Sequence, residues 1–306
     1  MILKKPAALH RGDTIGLAAP CYRITPEAVD RAERSLRLCG FQVRKAAHLF
    51  SDTWGYAGSD TERADDFHEL IADPDVKMLL FTGGEVSSDI LPLLDFDLIE
   101  KNRKIIASYS DGTSILEFIA ARCKMITYYG ISVHTFEDLR YQNWLSFESV
   151  LMKGDTRYEP CSPWTILNGG TASGILTGGY IENFALLLGT PYFTFDPSQE
   201  YLLFLEDHEK FHEPAVVARY MARIEQDPLF EHVKGLIFGH YSETHYRQLD
   251  EILQRVGKRH GIPVVYTDDF GHGINQEILP IGIPARLDAM AGADKCQFKF
   301  LETPVS

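Results

Sequence analysis

The first half of the chain alternates short apolar runs with helical patterns, and this rhythm constrains the fold more than any other feature. TIGLAA (14–19), VKMLLFT (76–82), KIIASYS (104–110) and MITYYG (125–130) read as strands. VKMLLFT is nearly continuously apolar, as expected of a strand covered on both faces of a parallel sheet. Between the runs lie helix signals. Thr25-Pro26-Glu27 supplies an N-cap, a proline at the first helical position and an acidic first turn, and Gly40 closes that helix. Val29, Ala32, Leu36 and Cys39 recur at helical spacing on one face. Ser59 and Glu62 form a capping-box pattern for a second helix, which must stop before Asp73-Pro74, and a third falls near 113–122. Strands separated by helices imply right-handed βαβ units, hence an α/β fold with a doubly wound, Rossmann-like parallel sheet.

The 306 residues exceed what one such unit needs, and at roughly 100–200 residues per domain they predict two. Residues 1–138 are read as the first. From 139 to 172 the pattern gives way to polar and turn residues (Lys153-Gly154-Asp155, Ser162-Pro163, Asn168-Gly169-Gly170), which reads as a linker. Residues 173–306 are less regular. GILTGG, LLFLED, VKGLIFGH and PVVYTD read as strands, with helices near 182–188, 214–225 and 247–259. LPIGIPARLDA followed by CQFKFLE suggests a hairpin, so the second domain is expected to be mixed, with β-barrel or hairpin character.

Charge and cysteine content narrow the function classes. With 30 basic and 43 acidic residues the net charge is −13, which repels a phosphate backbone, and no basic tract offsets it, so nucleic acid is not the expected partner. Five scattered cysteines spell neither a disulfide framework nor a Cys-x-x-Cys site. A reducing, cytoplasmic setting fits them. No uncharged apolar run approaches the ~18 residues that span a bilayer, so no membrane association is expected.

The sharpest chemical feature is Ser108-Tyr109-Ser110-Asp111-Gly112, between a strand and a helix. This is the layout of a nucleophile elbow, in which a tight turn lifts a serine hydroxyl toward the free amides of a helix N-terminus. The plainer reading is that Ser110 or Asp111 caps the helix. Thr82-Gly83-Gly84 leaves a neighbouring strand at the same sheet edge, where ligands of open α/β sheets gather; alone it reads equally as a tight turn. A serine nucleophile needs a base and a group to orient that base. His272, set between Gly271 and Gly273 after the strand PVVYTD, offers the first, and Glu206 at the end of LLFLED offers the second. The segment His208-Glu209-Lys210-Phe211-His212 matches H-E-x-x-H, but Pro214 interrupts the helix that zinc chemistry would need, so it is read as a loop with no metal.

These segments together resemble the LD-carboxypeptidases (muramoyltetrapeptide carboxypeptidases), a family that includes the microcin C immunity peptidases. The likeness rests on RGDTIGLAAP, GYAGSDTERADDFHELIADPDVK, the TGG turn, ILPLLDFDLI, YSDGT, LTGGY with LLGTPY, LFLED, and DFGHG with LPIGIPARLDA. The resemblance implies a cytosolic, commonly dimeric serine peptidase with a Ser-His-Glu triad and no cofactor. Its serine falls on Ser110, its glutamate on Glu206 and its histidine on His272. The chain departs from the family in three places: Thr82 stands before the glycine pair where arginine is usual, Ser108 where glycine is usual, and Tyr180-Ile181 follow Gly178-Gly179 where Asn-Leu is usual. Trp164 resembles the aromatic of the microcin-immunity branch, where a ring could stack on a nucleobase; a tryptophan packed on the second domain is the alternative.

The expected reaction is hydrolysis of an L,D amide that releases a terminal D-amino acid from a murein tetrapeptide, through an acyl-enzyme. The amides of Asp111 and of Gly84 or Gly83 would hold the oxyanion. Two alternatives are carried forward: the same machinery acting on an aminoacyl or peptidyl adenylate, and a catalytically idle binding module.

Overall fold

The computed structural model describes residues 3–83, 88–290 and 296–306. The first sheet is built from β1 (Thr14–Ala18), β2 (Gln42–Lys45), β3 (Val76–Phe81), β4 (Ile105–Ser108) and β5 (Thr127–Tyr129), all parallel, in the order β5-β4-β3-β1-β2. Helices α1 (Pro26–Leu38), α2 (Asp60–Ala72), α3 (Phe96–Lys101) and α4 (Thr113–Cys123) cross between them. The predicted caps form: the Thr25 side chain accepts from the Ala28 amide, and Ser59 and Glu62 make both bonds of a capping box. β1, β3, β4 and β5 are buried almost throughout, which is why their sequences show little alternation, whereas the edge strand β2 is mostly exposed.

The segment from 139 to 172 carries α5 (Tyr141–Phe147), a π-helical turn and β6 (Trp164–Asn168). β7 (Gly170–Tyr180) begins within its last residues, and beyond it come α6 (Ile181–Leu187), β8 (Tyr201–Glu206), α7 (Pro214–Glu225), β9 (Val233–His240), α8 (Arg247–His260) and β10 (Val264–Gly271). The chain ends with β11 (Leu279–Ile281), β12 (Pro284–Ala289) and β13 (Gln297–Phe300). The second sheet runs β13-β12-β7-β8-β9-β10-β6; its four central strands are parallel, and antiparallel strands flank them on both sides. The expected terminal hairpin is β12–β13. β11 returns to the first sheet and pairs antiparallel with β5.

One apolar cluster fills the first sheet and continues into the second through Leu176, Leu202, Phe204, Ile237 and Val265, while a smaller one packs α6, α7 and α8 on the outer face. Among the described residues, no helix is long and apolar enough to cross a membrane. The carboxyl ends of β3 and β4 carry Gly83 and Ser110, and those of β8 and β10 carry Glu206 and His272.

Candidate active site

Ser110 leaves β4 with φ of 55°, a left-handed conformation that a residue with a Cβ adopts only when its surroundings enforce it. The turn that follows is close-packed. Gly112 lies so close to the buried Ser108 that a Cβ there would sit 2.0 Å from Ser108 Oγ and 2.4 Å from Ser108 Cβ. The turn therefore closes tightly, and α4 begins one residue later.

The sheet edges bring three distant side chains together. His272 Nε2 is 2.8 Å from Ser110 Oγ, and His272 Nδ1 is 2.8 Å from Glu206 Oε2. Glu206 is 0 % exposed, so its charge has no water to lean on. Its second oxygen accepts a hydrogen bond of 2.5 Å from the Tyr129 hydroxyl, which in turn accepts from the Ser110 amide at 2.9 Å. Burial holds the Tyr129 phenol well above its ordinary pKa, so it remains a donor to the carboxylate. Gly271 allows the close approach: its φ is +104°, and a Cβ there would fall 3.0 Å from Glu206 Oε2.

The imidazole is electrostatically poised. Burial opposes its protonation, yet the Glu206 carboxylate at Nδ1, reinforced by Asp207, outweighs burial and raises the His272 pKa above its ordinary value. Tyr109, Tyr180 and Phe211 surround the ring, with centroids 5.1, 5.3 and 5.0 Å from it. Such an arrangement can withdraw a proton from a serine hydroxyl while a fixed negative charge stabilises the imidazolium.

The remaining sequence candidates lie as follows. Asp111 is buried in the turn, and its Oδ1 accepts from Asn183 Nδ2 at 2.6 Å. Gly83 has φ of +82° and its carbonyl accepts from Cys21 Sγ at 2.7 Å; Gly84 lies outside the described residues. Trp164 opens β6, stacks on Phe298 at an interplanar angle of 27°, and donates from Nε1 to Asp269 Oδ2 at 2.8 Å. Its other neighbours line a cavity that includes Arg157, Arg286 and Lys299. The segment 208–212 is a turn before α7, where His208 Nδ1 accepts from the Lys210 amide and His212 Nδ1 faces Asp207, so the two imidazoles do not share a helix face.

Sequence reading missed Tyr129, Thr113 and Asn183. Tyr129 sits in an apolar run where an aromatic residue ordinarily means core. Thr113 and Asn183 are polar residues on predicted helices, a pattern that surface positions share.

Comparison with known proteins finds two matching stretches of the chain. Residues 15–130 match the LD-carboxypeptidase N-terminal domain, and residues 173–287 match the LD-carboxypeptidase C-terminal domain. A probable murein peptide carboxypeptidase of Bacillus subtilis is 30% identical over 295 residues, covering 93% of this chain and 91% of that protein. The microcin C7 self-immunity protein MccF of Escherichia coli is 26% identical over 324 residues, covering 92% of each. A solved structure of MccF in complex with glutamyl sulfamoyl guanosine has the same fold, with a TM-score of 0.88 at 24% identity and full coverage of both chains. Two domain matches over most of the length, in the order the fold requires, establish that this chain belongs to the LD-carboxypeptidase family of serine peptidases.

Proposed function

We propose that the chain hydrolyses an L,D amide, releasing the terminal D-amino acid of a murein tetrapeptide, with Ser110 as nucleophile, His272 as general base and Glu206 as the group that orients the base. The observation that carries this reading is the 2.8 Å contact between His272 Nε2 and the oxygen of a serine in left-handed backbone conformation at a strand end. His272 takes the hydroxyl proton as Ser110 Oγ attacks the amide carbonyl. Glu206 keeps the remaining imidazole proton on Nδ1 and stabilises the cation. The imidazolium then protonates the leaving amine, the D-amino acid departs, and an acyl-enzyme remains; water, deprotonated by His272, completes the cycle.

The oxyanion would be held by the Asp111 amide together with that of Gly83 or Gly84. The Ser110 amide is not available for this, because it already donates to Tyr129. Removal of one such donor in other hydrolases costs about 3 kcal/mol of transition-state stabilisation.

A second reading, cleavage of an aminoacyl or peptidyl nucleotide analogue, is favoured by the glutamyl sulfamoyl guanosine bound to a protein of the same fold. In that case Trp164 offers a ring beside Arg157, Arg286 and Lys299, which suit an aromatic base and an anionic link. Incubation with a muramyl tetrapeptide and, in parallel, an aminoacyl sulfamoyl adenosine, followed by mass spectrometry, distinguishes the two. The expected product is free D-alanine from the tetrapeptide, and Ser110→Ala should abolish it. Wild-type turnover by Ser110→Ala would overturn the nucleophile assignment.

A further inference from the structure

The nucleophile belongs to the first sheet and the imidazole and carboxylate to the second, so their meeting depends on how α4 docks on β7. The docking face is polar and buried. Thr113 Oγ1 donates to the Ser110 carbonyl at 2.6 Å and accepts from the Tyr180 amide at 2.9 Å. One turn further on, Glu117 Oε1 accepts from the Gly178 amide at 2.6 Å, and the Thr177 hydroxyl lies 3.0 and 3.1 Å from the two carboxyl oxygens. Tyr180 pairs in register with Glu206 on the adjoining strand, so this seam runs from the nucleophile's own carbonyl to the strand that holds the orienting acid.

Glu117 is chemically out of place there. It is 2 % exposed, and among the described residues no Lys, Arg or His pairs with it. An unpaired buried carboxylate is costly, whereas an apolar side chain of similar size would fill the space without that cost. Burial accordingly raises its pKa to about 8, despite the Gly178 amide and the Thr177 hydroxyl. What an apolar residue would not supply is an acceptor for the Gly178 amide. We propose that Glu117 is a positioning residue for the reaction: its buried carboxyl, with the Thr113 hydroxyl, fixes α4 against β7 and so keeps Ser110 within reach of His272. The role rests on Ser110 being the nucleophile.

The groups around the carboxyl bear on its titration. Tyr201 faces it from β8 and feels its charge, and Lys124 and Asp196 line the same cavity. None of these bonds to it, so ionisation above about pH 8 leaves a buried charge at the seam and loosens the docking.

The test is the second-order rate at which a fluorophosphonate labels Ser110, which needs no knowledge of the substrate. Glu117→Leu should label about tenfold or more slowly, as expected when a reacting group is displaced by a fraction of an ångström to one ångström. Glu117→Gln keeps an acceptor for Gly178 and a donor for Thr177. It should label near the wild-type rate at neutral pH and lack the fall above pH 8 that the wild type shows. Wild-type labelling by Glu117→Leu, or identical alkaline profiles for Glu117→Gln and wild type, would overturn the proposal; if Glu117→Leu does not fold, the profiles decide alone. Ser110→Ala separates the two levels: if it still labels at the wild-type rate, the nucleophile is elsewhere, and the reading beneath the proposal fails instead.

Discussion

At the scale of single residues, the site depends on one hydroxyl that does no bond-making of its own. Tyr129 joins Ser110 and Glu206 from behind, is fully buried, and donates to a charged acceptor. Hydrogen bonds to charged groups are worth about 1.5–3 kcal/mol. Tyr129→Phe removes this one without changing the ring, so kcat should fall by about 10- to 100-fold. KM should stay close to wild type, since the phenol is buried behind the reacting groups. Steady-state kinetics on the tetrapeptide check this; an unchanged kcat would show that Glu206 needs no support from the Tyr129 hydroxyl. Ser110 and Glu206 stood out in the sequence as polar residues ending apolar runs, which marks a strand's carboxyl edge, and His272 as an imidazole between two glycines after a strand; the structure brings the three side chains together. Tyr129 did not stand out, because nothing in MITYYG separates a tyrosine that packs from one that also bonds.

Elements were legible where burial is periodic and illegible where a single group organises the chain. The βαβ rhythm of the first half appears in the structure, which adds the exposed edge strand β2 and the short α3 that the sequence pattern did not show, and the helices expected near 214–225 and 247–259 form as well. Residues 139–172 read as a linker because their turn residues dominate the pattern, although Asn143, Ser146, Phe147, Val150 and Leu151 form one buried face in the structure. The linker's C-terminal part, residues 158–164, is held instead by Asp269, 0 % exposed, which accepts from the Ser162 amide at 2.6 Å, the Trp164 indole at 2.8 Å and the Tyr158 hydroxyl at 3.1 Å, and also from the Ser162 hydroxyl. Periodicity cannot reveal an anchor more than a hundred residues away in sequence. The amide and the indole can only donate, one to each carboxylate oxygen. Asp269→Asn must therefore turn an NH2 group toward one of them, and it should destabilise by about 1–3 kcal/mol, the cost of an unsatisfied buried group. Urea denaturation gives the value; a midpoint equal to wild type would mean that the linker is held mainly by the stacking of Trp164 on Phe298.

Over the whole molecule, the two sheets are separate hydrogen-bonded ladders that share one apolar cluster. β11, from the second half of the sequence, completes the first sheet against β5, and the apolar cluster of the first sheet runs into the second. The chain ends are tied to each other as well: the Ser306 amide donates to the Pro6 carbonyl at 2.9 Å, the Ala8 amide to the Ser306 carbonyl at 3.1 Å, and the Tyr128 hydroxyl to the Pro304 carbonyl at 2.7 Å. Loss of either sheet would thus expose apolar surface and strand edges of the other, at a cost that neither could recover alone. Domains that melt separately show two calorimetric transitions, or a calorimetric enthalpy well above the van't Hoff value. This chain should instead show one transition with the two enthalpies equal. Two resolved transitions would mean that the halves are only docked, and a site assembled from both would then open at temperatures where each half is still folded.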